Sequence, residues 1–189
     1  MIQEMEFEVK NLLTEKEYHR LFNHLNHNNI IPKTQTNYYF ETADFELKNH
    51  GSALRIRETD DRTVVTLKQP KHDGILETHQ VIDEQTKEKW LNNQITALPT
   101  INHHLKAIDI DHKQLLYWGK LKTIRLELQK DDHLIVLDKS LYNDLIDYEL
   151  EVEAKTRALA YQIVNKLLDK YQISKKRTPN KIERFFMTR

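Results

Sequence analysis

The chain of 189 residues contains no cysteine, only three glycines and no long apolar run. The absence of cysteine excludes disulfides, thiolate zinc sites and thiol nucleophiles, and is typical of a reducing compartment. Three glycines in total, with none grouped, exclude the glycine-rich phosphate loop of the Walker type. The first residues are acidic and lack the apolar core of a signal peptide, and no segment is long enough to span a bilayer. We therefore expect a cytoplasmic protein with no membrane partner.

The charged residues balance, with 29 basic and 29 acidic side chains. A balanced chain has no overall field to attract nucleic acid, so we expect no nucleic-acid partner. Charged residues nevertheless make up 31% of the chain, which means that any anion-binding site must be local. The length suits one hydrophobic core, and we predict a single domain over residues 1–189.

Most of the chain shows the alternation of apolar and charged residues that is typical of strands with one apolar face. Thr14 and Glu17 have the spacing of a capping box, which predicts a helix that begins after Thr14 and ends near Asn28. Two short helices are predicted within 86–114 and a long amphipathic helix within 160–171. Strands are predicted at Gln3–Lys10, Thr36–Thr42, Ser52–Glu58, Thr63–Lys68, Ile75–Ile82, Leu121–Gln129, Leu134–Lys139, Ile146–Glu153 and Ile182–Met187. Short links between the strands indicate antiparallel pairing in an α+β domain.

The predicted strands separate into an apolar face and a charged face. The two long amphipathic helices can cover the apolar face, so the charged face must be in contact with water. Either the charges face bulk water from an open sheet, or the sheet closes into a barrel whose interior holds one small ligand. The charged set comprises Glu4, Glu6, Glu8, Lys10, Arg55, Arg57, Lys68, Glu77, Arg125, Glu127, Asp138, Glu149, Glu151 and Glu153.

Acidic side chains recur two residues apart on two of the predicted strands. Glu6 and Glu8 lie on one strand, and the acidic ladder from Glu149 to Glu153 lies on another, with successive carboxylates about 6–7 Å apart. Carboxylates without nitrogen or sulfur ligands suit Mg²⁺ or Mn²⁺, and the arginines and lysines on other strands suit phosphate oxygens. The pattern indicates a metal and polyphosphate site. The alternative is a solvated sheet face neutralised by cross-strand ion pairs.

The N-terminal sequence Glu6-Phe7-Glu8-Val9-Lys10 resembles the Glu-x-Glu-x-Lys signature of the CYTH superfamily, the triphosphate tunnel metalloenzymes. Further motifs resemble those of the family in the same order, so the resemblance covers nearly the whole chain. The segment around the signature is similar to the Firmicute YjbK-like branch. The further motifs are Tyr38–Thr42, Ala53–Arg57, Thr66–Lys68, Leu76–Glu77, Arg125, Asp138, Glu149–Glu153 and Lys181.

The resemblance implies a closed eight-stranded antiparallel β-barrel with helices packed outside, and a metal-dependent triphosphatase that uses Mg²⁺ or Mn²⁺. It assigns the metal to Glu6, Glu8, Glu77, Glu151 and Glu153, and catalysis to Glu6, Glu8, Lys10 and Glu77. It assigns phosphate binding to Lys10, Arg55, Arg57, Lys68, Arg125 and Lys181, with Asp138 and Tyr39 supporting them. The resemblance leaves open whether the metal binds to Glu149 and Glu151 or to Glu151 and Glu153.

Two other functions stay open. A class IV adenylate cyclase would use the ribose hydroxyl as nucleophile in place of water, and a binding module would hold a triphosphate or polyphosphate without turning it over. The substrate is either inorganic tripolyphosphate or a small organic triphosphate, and the protein is a monomer or a homodimer. Tyr38 and Tyr39 could stack on an organic group of the substrate, although an aromatic pair in a strand more often packs.

Overall fold

Nine β-strands, six α-helices and one 3₁₀ helix form the described part of the chain. The computed structural model describes residues 2–72 and 74–188, except for the side chains of Ile2 and Glu6. The strands are β1 (Ile2–Glu6), β2 (Glu8–Leu13), β3 (Lys33–Thr42), β4 (Ala53–Glu58), β5 (Thr63–Lys71), β6 (Gly74–Ile82), β7 (Leu115–Gln129), β8 (His133–Tyr142) and β9 (Leu145–Ala154). The helices are α1 (Glu15–Leu25), α2 (Glu46–Asn49), α3 (Glu84–Leu91), α4 (Pro99–Lys106), α5 (Arg157–Lys170) and α6 (Lys181–Met187), and the 3₁₀ helix is His112–Gln114. No helix among these has the length and apolar character that crossing a bilayer requires.

The chain divides into two compact units. The first contains Met1–Met5 and Gln35–Leu121, and the second contains Glu6–Thr34 and Lys122–Arg189. The strand order is β1-β6-β5-β4-β3-β7 in the first unit and β7-β8-β9-β2 in the second, because β7 contributes residues to both. The strand pairs for which a register is defined are antiparallel, as the short links predicted.

The predicted first strand, Gln3–Lys10, is two strands in the structure, because the ladder is interrupted at Phe7. β1 neighbours β6, whereas β2 pairs with β9. The described strands therefore number nine, and their hydrogen-bonded order has β1 and β2 as its two ends. The prediction of a closed eight-stranded barrel is wrong in strand number and in closure. The apolar alternation runs through Phe7 unbroken, so periodicity alone gives no sign of the interruption.

The core of the second unit lies between the apolar faces of its strands and two helices. The predicted capping box of α1 is confirmed, because Thr14 Oγ1 accepts from Glu17 N at 3.2 Å and Glu17 Oε2 accepts from Thr14 N at 2.7 Å. The helix ends at Leu25, one turn before the predicted end. The predicted long helix α5 packs on the same face. The core includes Val9, Leu13, Tyr18, Leu21, Leu126, Leu137, Leu150, Val152, Ala160, Val164 and Leu168.

The core of the first unit lies between β3–β6 and the two short helices predicted for this region, α3 and α4. Pro99 occupies the first turn of α4, where a missing N–H costs nothing. Helix α2 was not predicted, and it depends on a buried carboxylate, because Glu41 accepts hydrogen bonds from the N–H groups of Leu47 and Lys48, both at 3.0 Å. The core includes Phe40, Leu47, Leu54, Ile56, Val65, Leu67, Trp90, Leu98, Ile101 and Leu105.

The final predicted strand, Ile182–Met187, is wrong, because this segment is helix α6. Arg184 and Phe185 are buried three and four residues after Lys181, and only a helix places residues at that spacing on one side of the chain. The charged residues Glu183 and Arg184 interrupt the apolar residues of this short segment, so the sequence shows no clear helical periodicity there.

Glu17 provides a pH-dependent test of how α1 is anchored. Its carboxylate also accepts a hydrogen bond from Lys176 Nζ at 2.7 Å. Burial alone would raise the pKa of Glu17, and the hydrogen bonds from Lys176 and Thr14 outweigh it, so the pKa is lowered from its ordinary value of 4.5. A lowered pKa stabilises the fold above pH 4.5, and this contribution is lost as the pH falls through the folded-state pKa.

We expect Glu17→Gln to lower the free energy of unfolding by about 1–2 kcal/mol at pH 7, where a hydrogen-bonded charge is lost. Urea unfolding at pH 7 and pH 3 measures this, and the gap between variant and parent should narrow in acid. Glu88→Gln, at an exposed position on α3, is the matched control. An equal loss at both pH values would mean that the ionised carboxylate is not the source of the stability.

Candidate functional site

The strand register of the second unit arranges its charged face in rows. One row holds Gln129, Leu134, Glu153 and Glu8, the next holds Glu127, Val136, Glu151 and Lys10, and the third holds Arg125, Asp138, Glu149 and Leu12. Alternate residues of a strand share a face, and directly opposed Cβ atoms lie about 4.5–5.5 Å apart. The rows therefore bring acidic and basic side chains from four strands to one surface.

Three carboxylates converge at one end of this surface. Glu8, Glu151 and Glu153 each offer an oxygen atom, and these atoms all lie within 4.8 Å of one another. Glu8 and Glu153 are opposed in the register, and Glu151 lies in the next row. The sequence left the choice on the acidic ladder open, and the structure groups Glu151 and Glu153 with Glu8. The predicted ligand Glu6 falls outside the described side chains.

This carboxylate group fits a hard divalent cation. The donor atoms are all oxygen, which is the set that Mg²⁺ and Mn²⁺ prefer, and no histidine or sulfur donor lies in the group. Three acidic groups at this spacing repel one another unless a cation offsets their charge. Lys10 partly does so, because its Nζ lies 2.6 Å from Glu8 Oε1.

A network of buried ion pairs lies beside the three carboxylates. Arg125 makes a bidentate pair with Asp138, at 2.8 Å from Nε and 2.7 Å from Nη2, and Nη2 also donates to Glu151 at 3.0 Å. Asp138 was predicted to support a basic residue, and its cross-strand position opposite Arg125 explains the pair. The hydrogen bond from Arg125 therefore fixes the position of Oε2 of Glu151.

Lys181, at the start of α6, contacts three carboxylates at once. Its Nζ lies 2.7 Å from Asp138, 2.9 Å from Glu149 and 2.6 Å from Glu151. A lysine ammonium has three N–H donors, so these carboxylates match its full donor capacity. The network therefore fastens α6 to β8 and β9. The predicted phosphate contact of Lys181 remains a prediction.

Burial and pairing together set the charges in this network. Burial acts to raise the pKa values of Asp138 and Glu151, but Arg125 and Lys181 outweigh it and hold both below their ordinary values. Burial also acts to lower the pKa of Lys181, yet the surrounding carboxylates hold it well above 10.5. Glu149 differs, because burial raises its pKa to about 7 against the opposing effect of Lys181.

Arg184 completes the network and was missed in the sequence. Its Nε donates to Asp147 at 2.8 Å, its Nη2 lies 2.5 Å from Glu149, and its Nη1 donates to the carbonyl oxygen of Pro179. Tyr142 donates to the same Asp147 carboxylate. The signal that could have found Arg184 is its position one helical turn after Lys181, once 181–187 is taken as a helix.

The charges on this surface do not balance. Apart from the separate Lys33–Glu127 pair, six carboxylates face four cations among the described side chains of the carboxylate group and the buried network, so two negative charges are in excess when all are ionised. An excess of two suits one divalent cation. The carboxylates are Glu8, Asp138, Asp147, Glu149, Glu151 and Glu153, and the cations are Lys10, Arg125, Lys181 and Arg184.

The first unit carries the other predicted phosphate ligands. Arg55 lies opposite Tyr39 on β3 and Thr66 on β5, and Arg57 lies opposite Asn37. Arg57 Nε donates to Asn37 Oδ1 at 3.1 Å. Nε of Arg55 is buried and has no hydrogen-bond partner among the described residues. An unsatisfied buried donor of this kind suits an anionic ligand.

Lys68 and Glu77 form a cross-strand ion pair in the first unit. His79 Nε2 lies 3.4 Å from the same carboxylate, and His79 Nδ1 lies 3.0 Å from Thr66 Oγ1. Burial lowers the pKa of His79 despite the neighbouring Glu77. The predicted metal and catalytic roles of Glu77 stay predictions, and sequence reasoning missed His79, which follows Glu77 by one alternation. Tyr39, predicted to support the site, is buried in β3.

Comparison with known proteins identifies a family that spans most of the chain. A family model described as the CYTH domain matches residues 4–186. The candidate triphosphatase YjbK of Bacillus subtilis is 38% identical over 186 residues, which cover 98% of this chain and 96% of that protein.

Solved structures share the fold. That of a candidate adenylate cyclase from Bacillus halodurans has a TM-score of 0.91 and 36% identity, and covers 98% of this chain and 100% of its own. A candidate adenylyl cyclase from Hippeastrum, described as having a dominant triphosphatase activity, has a TM-score of 0.78 and 22% identity, with coverage of 97% and 96%. The family model spans nearly the whole chain, and two relatives exceed 30% identity over almost all of it. The chain therefore belongs to the CYTH domain family.

Proposed function

We propose that the protein hydrolyses a small triphosphate with the help of Mg²⁺ or Mn²⁺. The observation that carries this proposal is the convergence of Glu8, Glu151 and Glu153 on a surface that is otherwise neutralised by ion pairs. Membership of the CYTH family and similarity to a candidate triphosphatase support it.

Glu8, Glu151 and Glu153 would hold the cation. When bound there, a divalent cation supplies positive charge that polarises phosphoryl oxygens and offsets the charge that develops on them. The three residues contribute by fixing where that charge lies. Glu151 is held by Arg125 and Lys181, and Glu8 has Lys10 at its side. Preorganisation of this kind lowers the reorganisation needed during the reaction.

The buried cations have different roles in this proposal. Lys181 and Arg184 direct their donors at carboxylates, so we assign them to positioning rather than to phosphate binding. Arg125 also donates to two carboxylates, and its role in positioning Glu151 is primary. Lys10 differs from Lys181 in contacting one carboxylate, that of Glu8, and is proposed to bind a phosphate oxygen.

In the first unit, Arg55, Arg57 and Lys68 are proposed phosphate ligands. Guanidinium groups present several N–H donors in a plane and match phosphate oxygens bidentately. The unpartnered Nε of Arg55 favours it as the strongest of the three. Their proposed contribution is to bind the triphosphate and to offset the charge on its equatorial oxygens.

The reaction is an in-line displacement at the terminal phosphorus. The oxygen of a water molecule forms the new bond to phosphorus, the bridging bond to the diphosphate group breaks with its electrons on the leaving oxygen, and the water gives up a proton to the solvent. The products are orthophosphate and a diphosphate. A cyclase would instead release pyrophosphate and form a cyclic nucleotide from a nucleoside triphosphate.

A phosphate-release screen tests this function. Tripolyphosphate, thiamine triphosphate and nucleoside triphosphates are incubated with Mg²⁺, with Mn²⁺ or with excess chelator. We expect orthophosphate from at least one substrate with a divalent cation, and none with chelator, because the carboxylates alone supply no positive charge. Cyclic AMP formed from ATP would favour the cyclase. Tight binding by calorimetry without any turnover would favour a binding module.

A further inference from the structure

His79 lies on the charged face of the first unit, close to the proposed phosphate ligands. It follows Glu77 on β6 by one alternation, so the two side chains share a face of the sheet. The strand register places His79 in the row of Arg55 and next to the row of Lys68. One row holds Tyr39, Arg55, Thr66 and His79, and the next holds Ala53, Lys68 and Glu77.

The contacts of His79 fix which ring nitrogen carries the proton. Nε2 lies 3.4 Å from Glu77 Oε2, and Nδ1 lies 3.0 Å from Thr66 Oγ1. An ionised carboxylate can only accept a hydrogen bond, so in the neutral ring the proton is on Nε2 and Nδ1 is an acceptor. The hydroxyl group of Thr66 then donates to Nδ1. The hydrogen bonds therefore run in one direction, from Thr66 through His79 to Glu77.

Glu77 is contacted on both of its carboxylate oxygens. Its Oε1 forms the ion pair with Lys68, and its Oε2 faces His79. Glu77 and Thr66 are both buried, so the contacts that hold the ring and the carboxylate are shielded from water. A carboxylate among cations that bind phosphate would repel the phosphate oxygens, and contacts on both of its oxygens offset that repulsion. The same contacts fix the position of the Lys68 ammonium group.

We propose that His79 is a positioning residue for the triphosphate, because it orients the carboxylate of Glu77 that holds Lys68. Lys68 and Arg55 then meet the phosphate chain in a fixed geometry. This assigns Glu77 to the support of phosphate binding and leaves the metal to the three carboxylates of the second unit. The inference rests on the proposed phosphate-binding roles of Lys68 and Arg55.

Tripolyphosphate binding, measured by calorimetry with excess chelator, tests this positioning. We expect His79→Ala to weaken binding about 10-fold, because a hydrogen bond to a charged group is worth about that factor. His79→Gln retains an N–H donor that can reach Glu77, and should restore most of the affinity. Thr66→Val keeps the buried volume, releases the ring, and should weaken binding in the same direction. His50→Ala, at an exposed histidine of the same unit, is the matched control and should bind as the parent does.

Mn²⁺ binding in the absence of phosphate, followed by electron paramagnetic resonance, is the second readout. His79→Ala should bind Mn²⁺ with the affinity of the parent, because Glu77 is assigned to the phosphate ligands. A loss of Mn²⁺ affinity in this variant would place Glu77 at the metal and overturn the proposal. Thermal unfolding followed by circular dichroism checks that each variant folds.

Three results of the tripolyphosphate titration would also overturn the proposal. They are unchanged binding by His79→Ala, equal weakening in His79→Ala and His79→Gln, and no binding by the parent. Neither readout depends on turnover, which separates this inference from the proposed function. A parent that binds tripolyphosphate through His79 but releases no phosphate from any triphosphate would refute the triphosphatase proposal and leave the positioning role of His79 standing.

Discussion

Glu8→Gln should reduce the rate of triphosphate hydrolysis by about 100-fold or more. Loss of a residue that only hydrogen-bonds to a metal ligand already lowers metal affinity or activity by about 10–100-fold, and Glu8 is proposed to be a ligand itself. Glu8 is one of the three converging carboxylates, and glutamine keeps its size while removing its charge. With one carboxylate fewer, the group offers less negative charge to a divalent cation. Lys10 also loses its ion-pair partner, so its ammonium is held less firmly.

The measurement is phosphate release from the best substrate of the screen at saturating Mg²⁺, together with Mn²⁺ binding followed by electron paramagnetic resonance. We expect the Mn²⁺ affinity to fall about 10-fold or more alongside the rate. Glu88→Gln changes an exposed glutamate of α3 in the same way and should behave as the parent. Thermal unfolding followed by circular dichroism checks that both variants fold. Near-normal turnover in a folded Glu8→Gln protein would remove Glu8 from the metal site.

The alternation of charged and apolar residues predicted much of the candidate site. Every second residue of a strand shares a face, so membership of the charged face followed for Arg125, Asp138 and Glu151 without knowledge of the partners. The register between strands was not available from periodicity. Only the observed register, with Glu8 opposite Glu153 and Lys10 opposite Glu151, shows which end of the acidic ladder lies beside Glu8.

The elements that sequence reasoning missed are those in which tertiary contacts override local pattern. Helix α6 buries Arg184 through ion pairs, and such burial has no counterpart in a pattern of apolar residues. Helix α2 depends on the buried carboxylate of Glu41, which looked like one more residue of a strand. The division of the first strand at Phe7 depends on which partner strand each half meets.

Asp138→Asn should lower the free energy of unfolding by about 3–5 kcal/mol, the usual cost of removing one partner from a buried ion pair. Asp138 is fully buried, accepts two hydrogen bonds from Arg125, and lies 2.7 Å from Lys181. Asparagine keeps the shape but removes one buried negative charge, which leaves Arg125 with Glu151 and Lys181 with Glu149 and Glu151. Asp131→Asn, in an exposed turn, should stay within about 0.5 kcal/mol of the parent.

A second substitution identifies which buried cation, Arg125 or Lys181, accounts for the loss in the free energy of unfolding. If Lys181 does, then Lys181→Met added to Asp138→Asn should recover part of the loss, because the double variant no longer buries an ammonium that has lost one of its three anionic partners. Urea unfolding of the parent, both single variants and the double variant gives the coupling energy. Additive losses would show that Lys181 depends on Glu149 and Glu151 alone. In that case Asp138 serves Arg125, and the attachment of α6 to β8 contributes little to stability.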